Sequence, residues 1–470
     1  MSRTPRPVPG AAVVVALLWV AACADRAPTG PGAATAATAS PATASADGSS
    51  ARRITAEEVR RLAAERGIGP LPSAPLVRGS LARLGRMLVF DKELSGNRDV
   101  SCMTCHMPAL ATGDGRSLAI GQGASGLGAD RVHPDGTFIP RNAPPLFDLH
   151  LVRHLFWDGR VFEDDAGRLH TPAGSAVTPQ MRAVMAYGPV SAIGLFPVLS
   201  RSEMRGDAGE NELADVSDED PGAIWAGVMR RLGGIPAYRR MFETAYPGTA
   251  FDDMSFAYAT NAMGAFLLDA LVFDNSPWDR FLAGSDAALT DEQLAGALTF
   301  MNLPCSTCHD GPGFSDDQFH DVALAQFGPG QGDGPSGRDD YGRERVTGNP
   351  ADRYQFRTTM LRNVELTGPY GHAGQFDDLG RFIAHYSENA EKLRAYGEDD
   401  VPDPLLRSTL LRDNVEAIID ARDPLILPAA FDEATVRLLT AYMSALTDDR
   451  ARRLDRLVPH AVPSGLPVDR

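Results

Sequence analysis

Apolar residues recur at helical spacing in several stretches of the chain. Between Ser80 and Leu94, the residues Leu81, Leu84 and Leu88 fall on one face and predict a short helix. Asp252–Phe273 repeats the pattern with Phe256, Met263, Phe266 and Leu267, and Asn275-Ser276-Pro277 then breaks the chain. Thr290-x-x-Gln293 is a capping box, followed by Leu294, Ala297, Leu298 and Met301 as the inward face of another helix. Glu433–Leu446 places Val436, Leu439, Met443 and Leu446 at the same spacing. Nearer the start, Thr55-x-x-Glu58 caps a helix that Gly67 can end. Glycine-rich stretches at 111–128 and 328–342 predict loops, and few runs alternate as strands do. The pattern predicts a mainly α chain in two parts, with a junction near 275–285.

The first 50 residues read differently. Arg3 and Arg6 precede an apolar run from Ala11 to Val20, too short to span a bilayer, which takes about 20 apolar residues. Its layout is that of an export signal. Val20-Ala21-Ala22-Cys23 resembles a bacterial lipobox, which implies cleavage before Cys23 and a lipid on its thiol. An ordinary secretory signal, with Cys23 discarded or left free, is the alternative. Of the 27 residues from 24 to 50, 24 are Ala, Thr, Ser, Pro or Gly, which leaves nothing to bury and predicts a flexible tether. Ala24 after Cys23 is compatible with the outer membrane, so the expected location is the periplasmic side, held by a lipid anchor alone.

Composition narrows the function classes. A mean hydropathy of −0.18 excludes a polytopic membrane protein. With 45 basic against 61 acidic residues, the net charge of −16 argues against general nucleic-acid binding. It suits a basic or neutral protein partner, or a small uncharged substrate.

Cysteine usage carries the chemistry. Four of the five cysteines form two Cys-x-x-Cys-His motifs: Cys102-Met-Thr-Cys105-His106 and Cys305-Ser-Thr-Cys308-His309. One such motif arises by chance about once per thousand chains of this composition. Two point to covalent c-type haem, each pair of thiols adding to the vinyl groups of a porphyrin and the histidine ligating its iron. Three alternatives compete. A zinc ribbon normally spaces its pairs 15–20 residues apart, whereas here the gap runs from 105 to 305. A thioredoxin-like dithiol needs one pair on a βαβ unit. Disulfides between such near neighbours would close tiny loops and add little stability.

Further motifs extend the picture. They are Leu94-Ser95-Gly96 before Ser101-Cys102, Arg141-Asn142-Ala143-Pro144, Phe156-Trp157-Asp158-Gly159-Arg160, Glu203-Met204, and Leu361-Arg362-Asn363-Val364 running into Leu366-Thr367-Gly368-Pro369-Tyr370-Gly371-His372. Over residues 75–450 the chain resembles the bacterial di-haem cytochrome c peroxidase and MauG superfamily, in its MauG-like branch. The resemblance implies two cytochrome c-like haem domains packed around an inter-domain calcium site. The boundaries expected are a lipoprotein signal at 1–22, a tether at 23–53, an N-terminal peroxidatic domain at 54–275, a C-terminal electron-transfer domain at 276–450 and a tail at 451–470.

The resemblance also implies roles. His106 and His309 become the proximal iron ligands. Trp157 lies between the two haems, and Glu203 becomes the acid near the peroxide site, where a carboxyl can move a proton between the oxygens of HOOH. Pro197 matches a pocket proline of the MauG-type enzymes. Asn142, Thr367 and Pro369 match the calcium ligands, one side-chain amide oxygen and two carbonyls, which are hard donors suited to Ca²⁺. An insertion between Trp157 and Glu203 departs from the family pattern. So do two ligand positions. Gln122 stands where the standard peroxidases carry a blocking histidine, and an amide is a poor iron ligand. Tyr386, 14 residues after His372, stands where those enzymes carry a methionine. Phenolate is hard and anionic and favours oxidised iron, whereas a thioether favours Fe(II). His385 next to it points about 100° away on a helix, so only one of the two can ligate.

The function expected is reduction of hydrogen peroxide at the N-terminal haem, with electrons relayed through the C-terminal haem. The donor would be a small redox protein, a cytochrome c or cupredoxin. An alternative is peroxide-driven oxidation of a side chain on a partner protein, and a third reading is a non-catalytic di-haem electron carrier. The oligomeric state does not follow from the sequence.

Overall fold

A computed structural model describes residues 54–426 and 430–470. The export segment, Cys23 and the tether lie outside the described residues. The remainder is built mainly of helices, most of them short, joined by long ordered loops. No described helix is long and apolar enough to cross a membrane.

Two helix pairs organise the interior. Gly79–Phe90 buries Leu81, Leu84 and Leu88, as its periodicity requires, and crosses Phe256–Ala270. The crossing is close at Gly85, where a Cβ would stand 1.8 Å from the carbonyl oxygen of Ala262. Asp291–Asn302, capped by Thr290 and Gln293, crosses Glu433–Ala445 in the same way. There Gly296 leaves room for the Leu438 carbonyl, which a Cβ would meet at 2.0 Å. Each pair leads into one cysteine motif. The predicted helices are therefore present but shorter: the first ends at Phe90, and the second starts at Phe256 after a single turn at Phe251–Asp253.

The hydrophobic clusters redraw the expected boundaries. The first gathers apolar residues from Leu81 to Phe273 and adds Ala451, Leu454 and Val462 from the far end of the chain. The second runs from Trp278 to Leu446 but takes in Val59, Ala63 and Ile68. Helix Ala56–Glu65 thus packs with the C-terminal part rather than with 54–275. The 451–470 segment, expected as a mere tail, packs back on the N-terminal part. Its Ser464 Oγ donates to Asp91 at 2.6 Å, and Asp469 receives Lys92 Nζ at 2.6 Å and the Thr104 hydroxyl at 2.5 Å. A third cluster joins Leu118 to residues between Ala323 and Ile418.

A small antiparallel meander flanks Trp157, with β1 (His154–Leu155) before it and β2 (Val161–Glu163) and β3 (Leu169–His170) after it. Its register sets Phe162 between His154 and His170, and the rings stack at 5.0 and 4.6 Å. A second sheet pairs β4 (Phe319–His320) with β5 (Phe356–Arg357).

Candidate functional site

Each cysteine motif forms one helical turn, Cys102–Cys105 and Cys305–Cys308. The histidine that follows is oriented the same way in both. His106 Nδ1 donates to the Thr112 carbonyl at 2.9 Å, and His309 Nδ1 to the Phe314 carbonyl at 3.0 Å. Both carbonyls come from residues at positive φ, 66° and 57°, which turn the chain back over the ring. With the proton on Nδ1, Nε2 keeps its lone pair for a metal. Burial holds both imidazoles below their usual pKa, which favours that neutral form.

The two motifs open on different cavities. Cys102, Cys105 and His106 line the first, of about 1160 Å³. Cys305, Cys308 and His309 line the second, of about 1120 Å³, and an adjoining lobe of about 920 Å³ also takes in Cys305 and His309. All four thiols are free. Because the pairs face separate cavities, they do not make the shared four-sulfur site that a zinc ribbon requires. Nor are they disulfides. Large, mostly apolar cavities edged by two thiols and one oriented imidazole fit covalently held porphyrins.

The first cavity collects the predicted catalytic residues. Glu203, Pro197 and Trp157 line it, as does Arg160. Glu203 sits in a wide turn, Arg201–Arg205, capped by Ser200, whose Oγ accepts the Glu203 N–H at 3.3 Å. Burial raises the Glu203 carboxyl, and the Arg160 charge partly opposes this. Arg160 is itself placed by Asp158, at 3.1 Å, and by the Phe156 ring beneath it, at 3.9 Å from the ring centroid. Gln122 lies elsewhere. Its side chain accepts from Asn97 N at 3.2 Å and donates to Glu210 at 3.3 Å, and it is absent from the residues lining the cavity. It touches the site only through its backbone N–H, which donates to the Glu203 carbonyl at 3.1 Å.

Trp157 lines both cavities and the adjoining lobe. Its ring N–H donates to the Asn142 carbonyl at 2.9 Å, and its own carbonyl accepts from Arg357 N at 2.9 Å. Beside it, Arg141 joins Asp158 at 2.6 Å and Asp340 at 2.7 Å in a buried ion network.

Tyr386 ends helix Leu379–His385 and faces the second cavity, together with His309, from both lobes. Burial pushes its phenol up. His385 turns away as helical geometry requires, its Nε2 on the Val322 carbonyl at 3.0 Å. Asn142, Thr367 and Pro369 share the adjoining lobe. The Asn142 amide donates to the Arg116 carbonyl at 2.9 Å, and among the described residues no donor reaches Asn142 Oδ1 or the carbonyls of Thr367 and Pro369.

Two residues of the second cavity escaped the sequence reading. His320 lies between Asp316, at 2.9 Å, and Asp423, at 2.5 Å. With Cys308 and Asp316 it forms a cluster whose ligand atoms lie within 4.8 Å of one another, the one such group among the described residues. Both histidine nitrogens already engage carboxylates, so this cluster is an ion-paired clamp behind the motif. The other missed residue, Arg357, also lines this cavity.

The family model described as di-haem cytochrome c peroxidase matches residues 80–287. The cytochrome c551 peroxidase of Pseudomonas aeruginosa is 30% identical over 325 residues, covering 68% of this chain and 74% of the relative. The chain belongs to the di-haem cytochrome c peroxidase family. The methylamine utilization protein MauG of Methylorubrum extorquens is 28% identical over 324 residues, covering 69% of this chain and 73% of its own. In fold, the chain is similar to the diheme peroxidase BthA of Burkholderia thailandensis, with a TM-score of 0.54 at 24% identity, covering 84% of this chain and 91% of that one. As a member of this family the chain is an oxidoreductase acting on peroxide, and its two attachment motifs correspond to the two haems that the family's name states.

Proposed function

We propose that this chain reduces hydrogen peroxide in the cavity of Cys102, Cys105 and His106 and draws the electrons through that of Cys305, Cys308 and His309. The observation that carries the reading is that Glu203 and Trp157 line the first cavity while Trp157 also lines the second. Haem, when bound, supplies an iron that exchanges electrons with the peroxide. His106 and His309 would each hold such an iron through Nε2. Glu203 takes a proton from one oxygen of HOOH and returns it to the leaving oxygen, a task that its raised pKa suits. Arg160 brings positive charge to the same cavity. Trp157 places a π system between the two cavities. Asn142 Oδ1 and the carbonyls of Thr367 and Pro369 would hold Ca²⁺ in the adjoining lobe. The electron donor is a cytochrome c or a cupredoxin, and the chain is anchored by Cys23 on the periplasmic side of the outer membrane.

Tyr386 favours a second reading, oxidation of a side chain on a partner protein. A phenolate donor in the second cavity would stabilise oxidised iron and weaken that site as an electron acceptor. Rapid mixing of the fully oxidised protein with peroxide tests the common core of both. A spectral change within milliseconds to seconds is expected, slowed about 10²–10⁴-fold in Glu203→Gln. No change in the wild type would leave a non-catalytic electron carrier and overturn the proposal. Product analysis then separates the two readings: oxidised cytochrome c or cupredoxin supports the peroxidase, and a modified partner side chain supports the second.

A further inference from the structure

We infer that Arg357 is the cationic anchor for a carboxylate of the group held in the second cavity, a haem propionate, and that it sets the reduction potential at that site. The inference rests on the reading of Cys305, Cys308 and His309 as a haem site.

Most of the chain's buried arginines pair with acids, and buried Arg131 instead gives its guanidinium to the carbonyls of Ile120, Gly126 and Gly121. Arg141 has Asp158 and Asp340, Arg116 has Asp403 at 2.5 Å, and Arg362 has Asp279 at 2.9 Å. Arg357 has no carboxylate within ion-pair distance among the described residues. Its Nη1 makes one long hydrogen bond, 3.2 Å, to the Thr358 carbonyl. Its Nε is buried and has no acceptor. Asp317 is the acid whose charge reaches it. That acid is committed elsewhere, one oxygen taking the backbone N–H groups of Arg153 and His154 and the His154 ring. Its other oxygen, Oδ1, is itself buried without a partner, so the two groups do not satisfy one another.

A guanidinium keeps its charge even when burial disfavours it, and Arg357 has neither an acid nor the three carbonyls that satisfy Arg131, so it is left to an anion in the cavity. Arg357 lines the same cavity as the thiols and the imidazole that would hold a porphyrin. The propionates are the anionic groups of such a ligand, and a planar fork is suited to a carboxylate. The backbone fixes where this charge sits, since Arg357 N–H donates to the Trp157 carbonyl. The anchor is therefore tied to the aromatic residue shared by both cavities. A fixed cation near the iron favours Fe(II), so its loss lowers the potential.

The test uses the holoprotein with Arg357→Gln, Arg357→Lys and, as a control, Arg353→Gln, whose arginine pairs with Glu344 outside either cavity. Haem content is counted by pyridine haemochrome, and the potentials of the two haems are followed by magnetic circular dichroism. Fewer than two haems in the wild type would overturn the underlying haem reading. With two haems present, Arg357→Gln is expected to shift the Fe(II)/Fe(III) equilibrium of the His309 haem at least tenfold toward Fe(III), about 59 mV for one electron. Arg357→Lys, which keeps the charge but loses the fork, is expected to fall between it and the wild type. The His106 haem and the control should not move. Two haems with an unchanged His309 potential in Arg357→Gln would overturn the inference, as would equal shifts in both haems. Should Arg357→Gln not accumulate, redox-induced infrared difference spectra of the wild type and Arg357→Lys decide. A carboxylate band that moves between them supports the anchor, and one that stays overturns it.

Discussion

Arg141→Met removes the centre of the buried network beside Trp157. In the native chain, Arg141 gives Nε and Nη2 to Asp340 at 2.7 and 2.8 Å and Nη1 to Asp158 at 2.6 Å. The side chains are 7% exposed or less, so water does not screen the pairs. Burial alone would raise both acids, but the Arg141 charge holds both down, with Arg160 helping at Asp158, which reaches about 2. Native stability from these groups is therefore present above the usual carboxylate pKa and is lost as the pH falls toward 2. The substitution leaves the acids unequally placed. Asp158 keeps Arg160, at 3.1 Å. Asp340 loses its guanidinium and retains the Gly342 N–H at 2.9 Å. Breaking a buried pair by removing one partner costs about 3–5 kcal/mol, and since one acid keeps a cation we expect about 3 kcal/mol at pH 7.

The assay is urea unfolding followed by circular dichroism at pH 5 and pH 7. Without Arg141, burial sends the Asp340 pKa up, so the acid can take a proton and shed part of the cost. The loss should shrink toward pH 5. Adding Asp340→Asn to Arg141→Met should recover part of it at pH 7 by removing the stranded charge. A loss below about 1 kcal/mol at pH 7, or one that grows toward acid, would refute the reasoning.

Two more perturbations follow from the same geometry. Asp148 is buried, and burial raises its carboxyl to about 7, against the Phe273 N–H and the Arg362 charge. Its protonated form contributes stability below about pH 4 that is lost as the pH rises through 7. Asp148→Asn keeps an acceptor for Phe273 and should show the same thermal midpoint as wild type at pH 4 and a higher one at pH 8, by about 1–3 kcal/mol of stability. Parallel pH curves for the two would count against it. Asp469→Ala removes the acceptor of Lys92 and Thr104, in a pair 15% and 9% exposed. A loss of about 1–2 kcal/mol is expected by urea unfolding, together with altered ellipticity of the haem near Cys105; unchanged values for both would show that the C-terminal segment does not hold that turn.

The sequence made the local chemistry legible and left the long-range chemistry hidden. Thiols and histidine lie within five residues of one another, so their spacing alone states what they can attach. The helices declared themselves through period and caps, as at Thr290 and Gln293. What each helix packs against did not, because amphipathicity names a face and not its partner. Hence Ala56–Glu65 sits with the second cluster, and the 451–470 segment with the first. Strands of two or three residues are too short to display alternation, so the meander at His154–His170 gave no signal. Arg141 and Asp340 are 199 residues apart and Arg357 shares its cavity with Cys305, relations that no spacing records. Gln122 is a different case. Its buried side chain engages Asn97 and Glu210 and does not line the first cavity.

The loops that meet at Trp157 make the candidate sites mechanically dependent. Asn142 offers its carbonyl to the Trp157 ring and lines both the first cavity and the adjoining lobe. Arg141, one residue earlier, fixes Asp158, one residue after Trp157. Arg357 holds the Trp157 carbonyl and presents its guanidinium to the second cavity. A cation bound at Asn142 would thus stiffen the residue that accepts from the ring. Its expected influence is on how Trp157 sits between the two sites rather than on whether the haem groups attach. Chelation should therefore leave haem content intact while changing electron transfer between the cavities, and the strength of that effect should fall when Arg141 no longer secures the far side of the indole.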